Sequence, residues 1–223
     1  MIATIMKHSA AALLLTVLAA APSAASAADL ARVLPPPREA WLEIADTVLD
    51  GNETAANTGD PLLAPMVLCE ERGCTATGAQ TLSEDEAARL RALFAGDTDA
   101  AGERHRLGQA IALLETIIGA RNGTWRDRPG NEREYETEPG QLDCIAESIN
   151  TRTYLDRLNR AGLLHHHQLG GFIHRYTVVL QHVAVDIIET ATEERFAVDS
   201  WVGANGEEPE IRPYGDWRWE WGV

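Results

Sequence analysis

The pattern of hydrophobic residues changes in the second half of this chain, and that change constrains its fold more than any other feature. Residues 144–160 are predicted to form a helix, because Asp143 is a good N-cap and Gly162 is a residue type that ends helices. Three β-branched, alternating runs follow, at residues 172–180, 182–189 and 195–198. Only five residues separate the last two runs, so we expect them to form an antiparallel hairpin. A helix followed by a meander of strands predicts an α+β fold.

The first half of the chain is predicted to be mainly helical. Ser83 and Glu86 form a capping box, which opens a helix ending near Gly96. A second helix is expected over residues 102–118, and its buried face should carry four residues at helical spacing: Leu107, Ile111, Leu114 and Ile118. The polar, glycine-rich segment 121–139 marks the boundary with the second half.

Residues 1–27 have the three parts of a secretory signal peptide. Lys7 and His8 give a short n-region, residues 10–21 are apolar, and Ala25-Ser26-Ala27 supplies the small-residue cleavage pattern. The apolar run is too short to span a bilayer comfortably. We therefore expect a periplasmic or secreted protein, with no membrane insertion after signal cleavage.

The remaining chain of about 196 residues is long enough for one compact domain. Residues 28–135 are expected to form a helical N-terminal part, and residues 136–223 a second part that carries the sheet. Within the first part, a short helix is expected up to Asp50. Residues 51–65 are rich in Gly, Asn, Thr and Pro, which predicts a loop.

The expected mature chain is strongly acidic. Removing residues 1–27 removes the only lysine, Lys7, and leaves 18 arginines against 34 acidic residues, a net charge of −16. This charge argues against nucleic acid and anionic membrane surfaces as partners. It is compatible with cationic substrates, although a role in solubility alone is the simpler interpretation.

The chain has three cysteines, and two of them stand close together. Cys69 and Cys74 enclose the turn-like sequence Glu-Glu-Arg-Gly, which suits a small structural disulfide loop. Two cysteines alone are an incomplete metal site, and four intervening residues do not match the spacing of redox motifs. Cys144 is left without a partner, which is notable in an exported protein.

Cys144 has the sequence context of a nucleophile. In the first turn of a helix its sulfur lies near the positive end of the helix dipole, which favours thiolate, although the neighbouring Asp143 opposes this effect. Backbone N–H groups at a helix start lack intrahelical partners and can donate to an oxyanion. The amide of Gln141 is a further oxyanion candidate, or this residue is only part of the linker.

A base and an orienting carboxylate lie further along the chain. His182 begins a predicted strand, and the hairpin places it opposite a residue between about Asp199 and Gly203. In the tightest register His182 faces Asp199 directly, with Cβ atoms about 5 Å apart, which allows a carboxylate–imidazole hydrogen bond. Cys144, His182 and Asp199 are thus a candidate catalytic triad.

These residues carry a resemblance to a known family. The nucleophile helix is similar in three runs: Asp143-Cys144-Ile145-Ala146-Glu147, Tyr154-Leu155 with Leu158, and Ala161-Gly162-Leu163-Leu164. His182 at the head of a strand and the run Phe196-Ala197-Val198-Asp199-Ser200-Trp201 resemble the histidine and aspartate motifs. The spacings, 38 positions from Cys144 to His182 and 17 from His182 to Asp199, are also similar. The chain resembles the transglutaminase-like superfamily, and more narrowly its secreted bacterial cysteine proteinases.

The resemblance covers residues 140–201 and implies a papain-like catalytic core within residues 136–223. It implies Cys144 as nucleophile, His182 as general base and acid, and Asp199 as the residue that orients the imidazole. One position departs from the pattern, because the family often has an aromatic residue after this histidine and the chain has Val183.

The expected function is thiol-dependent hydrolysis or acyl transfer at carboxamide bonds of peptides or proteins. Cys144 would form a thioester, which water or an amine would resolve. Without a lysine the mature chain cannot crosslink itself through lysine side chains. The alternative is a catalytically silent module that binds a peptide or partner protein. No cofactor is expected, and the sequence leaves the substrate and the oligomeric state open.

Two further groups of residues have simpler interpretations. Consecutive histidines His165, His166 and His167 point in different directions and have no ligand at suitable spacing, so we expect a solvated loop and no metal site. The C-terminal tryptophans are expected to pack as a lid over the sheet or to form an aromatic wall beside a cleft. They are Trp201, Trp217, Trp219 and Trp221.

Overall fold

The structure is a computed structural model, and it describes residues 38–56, 59–130, 138–176 and 181–219. The predicted signal peptide and Trp221 lie outside the described residues. Five α-helices are described: α1 (Arg38–Ala56), α2 (Glu84–Leu93), α3 (Ala100–Asn122), α4 (Cys144–Arg160) and α5 (Tyr214–Arg218). None of the helices in these ranges is both long and apolar enough to cross a bilayer.

Within the described residues, six strands form two antiparallel sheets, so the fold is α+β. The strands are β1 (Met66–Cys69), β2 (Thr77–Gln80), β3 (His167–Tyr176), β4 (Gln181–Glu189), β5 (Arg195–Asp199) and β6 (Glu210–Pro213). The first two pair as a small hairpin, and the other four form a meander in the order β3-β4-β5-β6. The predicted hairpin between β4 and β5 is confirmed.

The main hydrophobic core lies between the four-stranded sheet and helices α3 and α4. One face of β4 and β5 contributes the buried side chains of Val185, Ile187, Phe196 and Val198. Helix α3 contributes all four residues of its predicted buried stripe, and α4 contributes Leu155 and Leu158. Because side chains alternate along a strand, this packing leaves the neighbouring positions of β4 and β5 on the opposite face of the sheet.

Helix α4 has the predicted boundaries, because its signals are local. The Asp143 carboxylate accepts a hydrogen bond from the Ala146 backbone N–H at 3.0 Å and so caps the first turn. At the other end, Gly162 adopts the left-handed conformation with φ of 70°. The capping box of α2 is likewise confirmed, with Ser83 and Glu86 bonded reciprocally.

The predicted loop over residues 51–65 is wrong in its first part, because α1 continues to Ala56. Asn52 explains the extension. Its side-chain amide donates to the carbonyl of Val67 at 2.8 Å and accepts from the N–H of Val67 at 2.7 Å. A buried asparagine that satisfies strand β1 in this way stabilises helix in a segment whose composition favours a loop.

Other boundaries differ from prediction by a few residues. Helix α3 is longer than the predicted 102–118, α2 ends at Leu93 rather than near Gly96, and β3 begins at His167 rather than at residue 172. The N-terminal part contains the β1-β2 hairpin in addition to helices. Of the predicted connection 121–139, residues 131–137 lie outside the described ranges.

Candidate functional site

The first turn of α4 places Cys144 against the start of strand β4. The thiol is buried, and the backbone N–H of Val183 donates a hydrogen bond to its sulfur. The hydroxyl of Ser148, one turn further on, lies 2.6 Å from the carbonyl oxygen of Cys144 and 3.0 Å from that of Val183. These contacts fix the sulfur beside the residue that follows His182.

His182 and Asp199 are joined by a hydrogen bond. The imidazole Nε2 lies 2.7 Å from the carboxylate Oδ2, and both residues are buried. Strands β4 and β5 pair with Val185 opposite Val198, and continuing that register puts residue 201 opposite His182, within the predicted range of 199–203. The tightest register, with His182 directly opposite Asp199, is not adopted. The observed register puts Asp199 opposite residue 184 instead. The contact is therefore diagonal, between side chains that share one face of the sheet.

Trp217 completes the surroundings of the Asp199 carboxylate. Its indole N–H donates to the same Oδ2 atom at 2.8 Å. The Trp201 ring lies on His182, with ring centroids 4.5 Å apart, and the Trp217 ring centroid is 5.7 Å from that of His182. The sequence predicted that these tryptophans pack as a lid over the sheet, but nothing in the spacing singled out Trp217 as a partner of Asp199.

The structure brings two of the three predicted residues into contact, and the third, Cys144, contacts the backbone of Val183, the residue that follows His182. Among the described residues, no hydrogen bond joins the Cys144 sulfur to the His182 ring. The Nδ1 atom of His182 is buried and has no hydrogen-bond partner within the described part of the chain. Asp199 therefore holds one nitrogen of the imidazole, and the other has no hydrogen-bond partner among the described residues.

The ionisation of Cys144 runs against the sequence-based expectation. Burial raises the pKa of the Cys144 thiol to about 12, and the carboxylates of Asp143 and Asp199 act in the same direction. The N–H of Val183 and the guanidinium of Arg72 lower it only in part. The expected thiolate at the helix start is thus wrong for this arrangement, because loss of water around the sulfur outweighs the helix dipole.

Gln141 is placed upstream of the thiol, with both ends of its amide bonded to backbone. Nε2 donates to the carbonyl of Arg126 at 2.7 Å, and Oε1 accepts from the N–H of Arg128 at 3.3 Å. Next to it, the N–H of Leu142 donates to the Asp127 carboxylate at 2.7 Å. These bonds hold the start of α4 against residues 126–128. The role of Gln141 as an oxyanion donor stays a prediction.

The predicted disulfide between Cys69 and Cys74 is present, and its loop forms hydrogen bonds with two residues, Asp143 and Asn150, at the start of and within helix α4. The N–H of Gly73 donates to the Asp143 carboxylate at 2.9 Å. The side-chain amide of Asn150 accepts from the N–H of Cys69 at 2.8 Å and donates to its carbonyl at 3.0 Å. The disulfide loop therefore positions the first two turns of the helix that carries Cys144.

Three buried carboxyl groups lie beneath the site: Glu115, Asp127 and Glu147. Burial raises the pKa of Glu115 to about 8 and that of Asp127 to about 6. Burial and the other two carboxyls hold the pKa of Glu147 well above its usual range. Asp127 and Glu147 hydrogen-bond to each other, which requires a proton between them at neutral pH.

The same carboxyl cluster touches both sides of the candidate site. Asp127 binds the N–H of Leu142, just before Cys144. Glu115 accepts hydrogen bonds from the hydroxyl of Ser200, next to Asp199, and from the N–H of Gly206. The sequence analysis missed this cluster because its members come from distant parts of the chain, and single carboxylates carry no local signal.

The histidine run is not the solvated loop that the sequence predicted. His167 begins β3 and is buried, with Nδ1 at 2.8 Å from the Glu103 carboxylate. The backbone N–H groups of His165 and His166 also donate to that carboxylate. Among the described residues no group of histidine, cysteine or acidic side chains has an arrangement that could hold a metal ion.

Comparisons with protein-family models, with curated proteins and with solved structures found no significant match to this chain. Its function must therefore be inferred from the geometry of the site. The strongest feature of that geometry is the buried His182 imidazole, which Asp199 holds at Nε2 and whose Nδ1 has no partner in the described ranges.

Proposed function

We propose that this protein is a thiol-dependent enzyme that hydrolyses or transfers acyl groups at carboxamide bonds of peptides or proteins. The observation that carries this proposal is the buried His182–Asp199 hydrogen bond, with the thiol of Cys144 beside the next residue of the same strand. Asp199 holds Nε2, so Nδ1 is the atom that would exchange a proton with the thiol.

The arrangement supports a general-base mechanism. As the sulfur of Cys144 attacks the substrate carbonyl, its proton passes to Nδ1 of His182, and the carbonyl oxygen gains negative charge. Backbone N–H groups in the first turn of α4 can donate to that oxyanion. His182 then returns the proton to the leaving amine, and a thioester remains. Water or a second amine resolves the thioester and regenerates the thiol.

The raised pKa of Cys144 means that the sulfur carries its proton before substrate binds. The thiol is neutral, so the thiolate forms only when the base accepts its proton. The exposed fractions of Cys144, His182 and Asp199 are 5%, 6% and 1%. A substrate must therefore gain access to a closed site, and the exclusion of water around the reacting groups strengthens the electrostatic interactions within it.

The fold supports a papain-like core as part of this proposal. A helix begins with the nucleophile and packs against an antiparallel sheet, and two adjacent strands carry the base and the orienting carboxylate. This order matches the resemblance to the transglutaminase-like superfamily. The Cys69–Cys74 disulfide favours an oxidising compartment, which supports periplasmic or secreted location.

The alternative function is a silent module that keeps this architecture and binds a peptide or partner protein. The burial and raised pKa of Cys144 favour it, because an idle thiol in an oxidising compartment is protected in the same way. In that case the available Nδ1 of His182 would have no role in proton transfer.

The deciding experiment is labelling of the folded full chain with a peptide-based electrophile that reacts with active-site cysteines. The proposal expects Cys144 to be labelled faster than cysteine in an unfolded peptide, and Cys144→Ser to abolish labelling. His182→Ala should slow it strongly, whereas His165→Ala, in an exposed histidine, is the matched control and should leave it unchanged. Labelling no faster than a free thiol, and indifferent to His182, would establish the silent module.

A further inference from the structure

Trp217 is buried by apolar packing and in addition donates a hydrogen bond to the Asp199 carboxylate. The indole Nε1–H donates to Oδ2 of Asp199 at 2.8 Å, and His182 uses that same oxygen at 2.7 Å. The other oxygen, Oδ1, is buried and has no partner within the described residues. One carboxylate oxygen thus carries two donors while the second carries none.

Trp217 is itself held firmly on the face of the sheet that carries His182. Its exposed fraction is 0%, and it packs in a small cluster with Ile173, Ala184 and Ala197. Arg175 donates to the carbonyl oxygen of Trp217 at 3.2 Å, and its guanidinium lies 4.9 Å from the centre of the indole. These contacts hold the indole in place independently of its hydrogen bond to Asp199.

We propose that Trp217 is a positioning residue, whose indole N–H fixes the orientation of the Asp199 carboxylate so that Oδ2 faces the His182 imidazole. This inference rests on the proposed function, since orientation matters only if Nδ1 of His182 receives a proton from Cys144.

The physical need for such a donor comes from the carboxylate itself. A carboxylate rotates about its terminal bond, and its two oxygens are equivalent until a neighbour distinguishes them. If the carboxylate had only its hydrogen bond to His182, it could still rotate, and the imidazole would tilt with it. A second donor, anchored elsewhere in the fold, fixes the carboxylate and through it the ring. Both donors bind Oδ2, and Oδ1 has no partner in the part of the chain that the structure describes, so the donors converge on one atom instead of sharing the carboxylate.

The test compares Trp217→Phe with Trp219→Phe. Phenylalanine keeps an aromatic ring and removes the N–H donor, whereas Trp219 is 64% exposed and serves as a matched control. We expect Trp217→Phe to lower the labelling rate of Cys144 about tenfold or more near neutral pH, which corresponds to the loss of one hydrogen bond to a charged group. The control should match the wild type.

The pH profile of labelling separates positioning from packing. With an oriented imidazole, the wild type should react well near neutral pH. Trp217→Phe should react appreciably only at alkaline pH, with the steep profile of an unassisted thiol. A rate that falls by the same factor at every pH would mean a packing defect and would overturn the positioning role.

A second measurement does not depend on enzymatic activity. In the proton NMR spectrum, the Nε2–H of His182 should give a resonance protected from exchange with water, identified by its loss in His182→Ala. Trp217→Phe should increase its exchange rate about tenfold or more, because the carboxylate is no longer fixed. If wild-type Cys144 is unreactive but this resonance behaves as stated, the proposed enzyme fails and the positioning contact stands. An unchanged exchange rate overturns the positioning role.

If Trp217→Phe does not fold, Asp199→Asn decides the question in a protein that keeps both rings. Asparagine replaces one carboxylate oxygen with an amide, so both donors lose a charged acceptor. The indole N–H resonance of Trp217 and the ring resonance of His182 should then shift together. A shift confined to His182 would show that Trp217 does not act through Asp199.

Discussion

Two buried histidine–carboxylate pairs in the described part of the chain differ in whether the second nitrogen of the imidazole has a partner. In the first pair, His167 Nδ1 lies 2.8 Å from Glu103, and its Nε2 lies 3.1 Å from Arg104. In the second, His182 Nε2 lies 2.7 Å from Asp199, while Nδ1 has no partner among the described residues. An imidazole bonded at both nitrogens is a fixed structural link. An imidazole bonded at one nitrogen leaves the other able to accept or donate a proton.

The surroundings of the two pairs agree with this distinction. Glu103 also accepts the backbone N–H groups of His165 and His166, so it joins α3 to the start of β3. Asp199 instead has a second donor, Trp217, and its imidazole lies beside the backbone of the residue that contacts Cys144. The first pair connects elements of the fold, and the second pair includes the residue that precedes Val183, whose backbone contacts the thiol.

The largest expected effect is on the reactivity of Cys144. We expect His182→Ala to lower its labelling rate by on the order of 10² to 10⁴, the usual contribution of a positioned general base. His167→Ala should leave the rate within about threefold of wild type, if both proteins are compared well below their unfolding temperatures. Rates from mass spectrometry of the modified peptide check this. Equal losses in both variants would remove the distinction between the pairs.

The reverse effect is expected on stability. His167→Ala leaves the buried carboxylate of Glu103 without its imidazole, so the free energy of unfolding should fall by about 3 kcal/mol. Chemical denaturation of the wild type and the variant measures this difference. The control is His105→Ala, because the side chain of His105 is 66% exposed and its pair with Glu208 is long, at 3.7 Å. The control should change stability by less than about 0.5 kcal/mol.

How much of this comparison the sequence could predict depends on the distance between partners. The boundaries of α4 follow from Asp143 and Gly162, which act on neighbouring residues, and they were predicted correctly. The hairpin prediction also named the contact between His182 and Asp199 and a register that includes the observed one, although the contact is diagonal rather than direct. Residues whose signal lies within a few positions were therefore predictable.

The rest depends on partners that are far apart in the chain. Asn52 extends α1 because it binds Val67, and Glu103 orders the histidine run from 64 positions upstream of His167. Trp217 contacts Asp199 only because α5 folds back over the sheet. No local pattern encodes such pairs. The resemblance to the transglutaminase-like superfamily stays a prediction that the labelling experiments test.

The buried carboxyl of Glu115 has no histidine partner, and its proton makes the stability of the fold depend on pH. The folded-state pKa of Glu115 is raised from 4.5 to about 8 by burial, so the folded protein holds this proton more tightly than the unfolded chain. Its stabilising contribution is complete below about pH 4.5 and is lost as the pH rises towards about 8. We expect the free energy of unfolding to fall by on the order of a few kcal/mol over that range.

Glu115→Gln is the matched variant for this effect. The amide imitates the protonated carboxyl, so the variant should resemble the wild type near pH 5 and exceed it in stability near pH 8. Denaturation curves at a series of pH values check both statements. A wild-type stability that is constant or rises over this range would show that Glu115 is not held protonated by its surroundings.

The smallest expected effect concerns the negative charge beside Cys144. The carboxylate of Asp143 raises the pKa of Cys144, second to burial. Asp143→Asn keeps a good helix cap and removes that charge, so the thiol should ionise at lower pH and react several-fold faster with a small alkylating agent at mildly alkaline pH. Stability should change by less than about 1 kcal/mol, since asparagine caps helices as well as aspartate. The control is Asp99→Asn at the cap of α3, which should leave the alkylation rate of Cys144 unchanged. A slower reaction in Asp143→Asn would mean that this carboxylate acts chiefly by holding Gly73 and the disulfide loop, because losing that contact displaces the sulfur from Val183.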